Sequence, residues 1–313
     1  MYRRVRLFAA ASTLAASVVP AAAQAPRAAE ADEIVVTAQR TGIPVWRVNS
    51  PTTTLVLIGS IDRVAKGTRW DPAALNQTLL KADRVMFPGT IGLTGSPFSL
   101  IGYALKWRKH ATLPKGQTLA SLMRPDQFQR LVALRNRGVL KPGFERKHPL
   151  HLALMLHGIA KGKDGYGLAA GDYVSRTVRK NKIKTVPITS FRANPVVKEF
   201  FAEPPKTFVP CLLASIALVE AGPGTIKRRS DAWAERRVPE VLASPVEPVN
   251  ATCHPSSWGL VQHPDFRAQV RTLLAQPQLT VAVVELGSLA RPGGVLDSLA
   301  AAGFDVRGPR WKS

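Results

Sequence analysis

Cysteine is almost absent from this chain. Cys211 and Cys253 are the only two in 313 residues. Without a Cys-x-x-Cys pair there is neither a thiol-exchange motif nor a cysteine-based zinc module. Acidic residues are scarce as well, 21 Asp+Glu against 43 Lys+Arg. Beyond the first two dozen residues no run approaches the ~18 uninterrupted apolar residues of a membrane-spanning helix, so no transmembrane segment is expected in the mature chain. No Gly-x-Ser-x-Gly elbow is present to activate a serine. The histidines also lack a ligand spacing: His148 and His151 flank Pro149, and His157 lies six residues beyond His151. Zinc held on a helix wants donors at i and i+4 with an acidic partner, and that pattern is missing here.

The start of the chain is export-like. Arg3, Arg4 and Arg6 precede an apolar run from Leu7 to Val19 and the small residues Ala21-Ala22-Ala23. This order predicts a secretory signal peptide over residues 1–23 and a periplasmic or secreted protein, cleaved near Ala23. Loss of that peptide leaves 40 Lys+Arg against 21 Asp+Glu, a net charge of +19. Such an excess favours anionic partners, and with an export signal those are acidic glycans or lipid headgroups rather than nucleic acid. The alternative is a dispersed basic surface with no dedicated ligand. Residues 24–40 are predicted to be a flexible leader. Within it Glu33-Ile34-Val35-Val36-Thr37-Ala38 resembles the TonB box of outer-membrane receptors, although no barrel pattern follows. Residues 41–313 are read as a single domain.

The most informative stretch runs from Pro44 to Pro88. A short strand at Pro44–Val48 and a turn at Asn49-Ser50-Pro51 lead into the β-branched run Thr53–Ile58, which ends at Gly59. Asp71-Pro72 reads as an N-cap followed by a first helical residue. Leu75, Leu79 and Leu80 are predicted to form that helix's apolar face, and Val85-Met86-Phe87 restarts a strand. At the other end, Leu279–Glu285 is an apolar strand, Leu286–Gly294 a glycine-containing turn, Val295–Ala302 a helix and Gly303–Val306 a closing strand. Between them lie helical stretches, including Thr118–Arg137 with a break at Arg124-Pro125 and Val209–Glu220 carrying Cys211. In an oxidising compartment Cys211 and Cys253 are expected to form a disulfide. A bridge closing a loop of this length contributes roughly 4 kcal/mol on the chain-entropy model.

This order of elements, with Trp46, Gly59-Ser60-Ile61, Trp70, Ala82-Asp83-Arg84-Val85 and Arg228–Trp233, resembles the TraB/GumN family, relatives of the Tiki-type metalloproteases. The resemblance implies an α/β (α+β) fold, a central mixed sheet flanked by helices with the first and last strands adjacent. It also implies a metal site built from two Gly-x-x-His motifs and further acidic positions. Those positions fall at Gly59 and Asp62, at Phe87 or Pro88, near Thr189, and at Glu285 and Ser288. Asp62 and Ser288 replace the histidines, Glu285 replaces a glycine, and only Asp62 keeps a ligand-type side chain. A degenerate member is therefore expected, with Asp62 and Ser288 sharing one cleft. Its divalent metal is lost, and it acts as a binding scaffold for an anionic cell-envelope component. The competing expectations are a metal-dependent hydrolase using non-standard ligands, Asp62 with His148, His151 or His157, and a protein-interaction module of the envelope.

Overall fold

The computed structural model describes residues 25–50, 53–87, 102, 105–161, 166–187, 202–253, 264–276 and 278–312. The predicted signal peptide, Pro88 and Thr189 lie outside them.

Six strands form one sheet: β1 (Val45–Asn49), β2 (Thr54–Ser60), β3 (Arg84–Phe87), β4 (Thr185–Pro187), β5 (Thr280–Glu285) and β6 (Asp305–Arg307). Their spatial order is β4-β3-β5-β2-β1-β6. β4, β3, β5 and β2 run parallel, while β1 is antiparallel to both β2 and β6. The first and last strands are therefore hydrogen-bonded neighbours, as the α/β expectation required. β2 and β5 are the central pair, in register from Leu55↔Thr280 to Ser60↔Glu285. Both are buried along nearly their whole length. That explains their almost unbroken apolar sequences: parallel strands covered on both faces have no solvent side to alternate with.

The helices fall into two groups. α1 (Ala25–Gln39), α2 (Pro72–Lys81) and several later helices share one apolar core with the sheet. Among the described residues a second core contains no strand and is built mainly from α3 (Leu119–Leu122), α4 (Pro125–Asn136), α5 (Pro149–Lys161) and part of a later helix, with Leu113 and Leu140 from the connections. α6 (Ala170–Asn181) returns to the first core. α7 (Val209–Glu220) belongs to the second, where Cys211, Leu212 and Ile216 are buried. α8 (Thr225–Ala234), α9 (Val238–Leu242) and α10 (Val246–Thr252) lead back, and α10 carries the chain to Cys253, which bonds Cys211. α11 (Pro264–Leu274), α12 (Leu286–Ala290) and α13 (Val295–Ala301) complete the first group. Among the described residues no single helix is long and apolar enough to cross a membrane.

Three details correct the sequence reading. The segment expected to be a flexible leader is helical, and Ile34, Val35 and Ala38 are buried in the main core. Its β-branched run has poor helix propensity, so burial rather than local preference holds α1 in place. Leu75 and Leu79 are buried on α2 as expected, but Leu80 is 51% exposed. The glycine-containing turn after β5 begins as a helix, α12, capped by the Glu285 side chain.

Candidate functional site

The C-terminal ends of β2, β3, β4 and β5 lie at one edge of the sheet, because all four strands run the same way. This is the edge where open parallel sheets hold their ligands. β3 ends at Phe87 and β4 at Pro187 on this edge.

Gly59 is placed by packing. A Cβ there would approach Leu286 Cδ1 to 2.7 Å and Trp46 Cζ3 to 3.0 Å. Its carbonyl accepts a 2.8 Å hydrogen bond from the buried Trp233 Nε1. Trp46 in turn donates to Pro309 O, and Trp70 meets both Trp233 and Tyr173 edge-on. The tryptophans that mark the sequence are thus the clamp around the end of β2.

Just past that clamp the turn is tight: Arg63 adopts φ 51°, the left-handed region that non-glycine residues rarely enter. Asp62 is half exposed, its Oδ2 3.1 Å from Arg63 Nη1 and its Oδ1 accepting from Asn250 Nδ2 at 2.8 Å. Behind it lies Arg229, whose side chain is fully buried. Arg229 Nη1 donates to the Asp62 carbonyl at 2.8 Å and Nε to Glu247 Oε1 at 2.7 Å. Its Nη2 lies 2.5 Å from the same Glu247 oxygen and 3.6 Å from Asp62 Oδ1, without an aligned hydrogen bond. Burial pushes the Glu247 carboxyl up from its ordinary pKa; Arg229 opposes this and Glu285 reinforces it.

On the β5 side, Glu285 caps α12. Its Oε1 accepts from Gly287 N at 2.9 Å, and its Oε2 accepts from Ser288 N and Ser288 Oγ, both at 2.7 Å. A side chain at Gly287 would press on three charged groups. A Cβ there would lie 2.9 Å from Glu285 Oε1, 3.0 Å from Glu247 Oε2 and 3.1 Å from Arg291 Nη2. Two carboxylates and a guanidinium therefore converge over this glycine. Asp62 and Ser288 each follow a strand end at this edge, where Ser60 pairs with Glu285. Arg229 and Glu247 stand behind Asp62, and Glu285 caps the helix that carries Ser288.

The histidines divide. His157 lies near Asp62 and Arg63 but is turned inward, its Nε2 3.3 Å from Ser215 Oγ, and burial lowers its pKa to about 4. His148 and His151 sit elsewhere, against Phe208 and Trp107 respectively. The non-standard ligand set of Asp62 with His148 or His151 is not assembled. Among the described residues no group of three or more His, Cys, Asp or Glu side chains could hold a metal ion. Sequence reasoning missed Glu247 and Arg229 as site residues. Arg229 lay within a recognised stretch, but nothing in its spacing paired it with a glutamate 18 positions on.

A mixed sheet flanked by helices, with its parallel strand ends gathered at one edge, defines an α/β protein. The profile of the TraB/PrgY/gumN family matches residues 44–308, and the chain belongs to that family. No curated protein and no solved structure matches it.

Proposed function

We propose that this chain is an exported, non-catalytic member of the TraB/PrgY/gumN family whose role is to bind an anionic component of the cell envelope. The observation that carries the reading is the buried guanidinium of Arg229, held between Glu247 and the Asp62 carbonyl. Its charge is taken up by Glu247 and Asp62, so the strand ends hold a closed ion-pair network where a catalytic cation would need open ligands. The donor set does not fit a divalent metal. Asp62 is engaged by Arg63 and Asn250, Glu247 by Arg229, and Glu285 by the backbone and hydroxyl of α12. Metal-assisted hydrolysis needs several convergent ligands and an open coordination position. Ser288 Oγ is committed to a carboxylate rather than to a histidine base, so it has no partner to activate it as a nucleophile.

The binding half of the reading rests on charge. A net charge of +19 on the exported chain (40 Lys+Arg against 21 Asp+Glu) creates a field that concentrates anions, and the export-like N-terminus points to envelope glycans or lipid headgroups as their source. The test is metal analysis of protein purified from the periplasm, paired with thermal melts with and without Zn²⁺ or Mn²⁺. A bound ion raises the melting temperature by mass action. The expected outcome is no stoichiometric metal and no shift. Stoichiometric metal, or a shift abolished by Asp62→Ala, overturns the non-catalytic reading.

A further inference from the structure

On the β1–β6 side of the sheet a cavity of about 530 Å³ is lined by Gln39, Val45, Arg236, Gly308, Pro309 and Arg310. We propose that this cavity is an oxyanion-binding site, with Arg236 and Arg310 gripping a carboxylate or phosphoryl group and Gln39 meeting its polar surroundings. Its size is that of a small-molecule site.

Both walls are hung on buried tryptophans. Trp46 Nε1 donates to Pro309 O at 2.9 Å. Gly308 lies so close that a Cβ there would approach Trp46 Cδ1 to 2.3 Å. The opposite wall turns at Arg236, whose amide donates to the carbonyl of the fully buried Trp233 at 3.1 Å. Arg236 holds φ 60°, an unfavourable conformation for a residue with a side chain. Both guanidiniums are oriented by backbone oxygens, Arg236 Nη2 by Gln39 O and Arg310 Nε by Lys312 O. Each keeps further N–H donors in the planar fork that matches carboxylate and phosphate.

The neighbouring charges point the same way. Arg237 pairs with Glu235 and Glu240, Arg307 with Asp305, and Lys312 with Asp297. The nearby carboxylates are thus taken by other cations. Among the described residues neither Arg236 nor Arg310 has a carboxylate within ion-pair distance. Two like charges face one cavity without a carboxylate partner, and a bound oxyanion supplies one.

The experiment is calorimetric titration of the full mature chain at low ionic strength with two probes, glucuronate and inorganic phosphate. Saturable binding of at least one probe is expected, weakened about tenfold or more by Arg236→Gln and by Arg310→Gln. Arg137→Gln, an exposed cation on the helical layer, should leave it unchanged. All three positions are exposed, and matched melting temperatures check that the variants fold. Tighter binding of glucuronate assigns the site to an acidic sugar, and tighter binding of phosphate to a phosphoryl group. No saturable binding of either probe overturns the proposal. So does binding indifferent to both cavity substitutions, or equally weakened by Arg137→Gln. The inference rests on the anionic-ligand reading above, yet the two fail separately. Envelope anions bound equally by both cavity variants would remove the cavity and keep the scaffold. Stoichiometric metal with intact glucuronate binding would do the reverse.

Discussion

Arg229 and Glu247 form the buried pair on which the strand-end cluster depends, and each is costly without the other. The Arg229 side chain has no exposed surface and that of Glu247 is 11% exposed. Removing one partner leaves a desolvated charge, a change that typically costs about 3–5 kcal/mol. Arg229→Met should therefore lower the stability read by urea unfolding by about that much. The loss should grow as pH rises through the ionisation of Glu247, because burial alone then acts on its carboxylate. Glu247→Gln keeps the shape but leaves the buried Arg229 guanidinium without its counter-ion, and should cost a similar amount. A Met variant as stable as the parent would show that the pair is not desolvated.

Two histidines give the protein a pH signature with a definite sign. Burial lowers both His148 and His157 to about 4 from an ordinary 6.5. The unfolded chain therefore binds more protons between those values, and stability falls as pH drops through that window. Each contributes roughly 3 kcal/mol at most, in full above pH 6.5 and lost by about pH 4. His148 Nδ1 accepts from Leu150 N, a role an asparagine oxygen can fill. His148→Asn should thus flatten the pH dependence of denaturant unfolding while sparing stability near pH 5. An unchanged slope would refute the assignment.

Among the elements, α2 was legible in full at its start. Asp71 is its N-cap, with Oδ1 accepting from Ala73 N and Ala74 N, and Pro72 opens the helix. Strands β2 and β5 were legible because continuous burial writes itself as continuous apolar sequence. α1 was not. Its polar, alanine-rich composition carries no strong helical period, and its Ile34-Val35-Val36-Thr37 run favours an extended chain. It is a helix because Ile34 and Ala38 reach the main core and because Asp32 and Glu33 pair with Arg47 and Lys81. Those exposed ion pairs contribute little, so the apolar contacts decide the matter. Ile34→Ala should cost about 2–4 kcal/mol, read by thermal or urea unfolding. A cost near zero would return residues 25–39 to the tether first expected.

At the scale of the whole molecule, the disulfide ties the end of α10 to α7 across 42 residues. It joins the helical layer to the segment that carries Glu247. Cys253→Ser should cost roughly 2–5 kcal/mol. Hydrogen exchange should show the loss concentrated in α7 and α10 rather than in the sheet. Uniform loss of protection would mean that the two cores unfold as one unit.

Outside α1 and α12, the sequence by itself determined the kinds of elements that frame the sheet and their order, since periodicity, caps and glycines act over a few residues. It also marked the ends of β2 and β5, at Gly59 and Glu285, as the places where chemistry would be sought. Only the tertiary structure decided which charges stand at that edge. Arg229 and Glu247 belong to different helices, and Arg236 and Arg310 lie 74 positions apart in the numbering, so no local pattern links either pair. Packing of α8 against α10 brings the first pair together, and β6 beside β1 carries Arg310 to the cavity that Arg236 also lines. Partnership between charges depends on distance and burial, and both come from the fold.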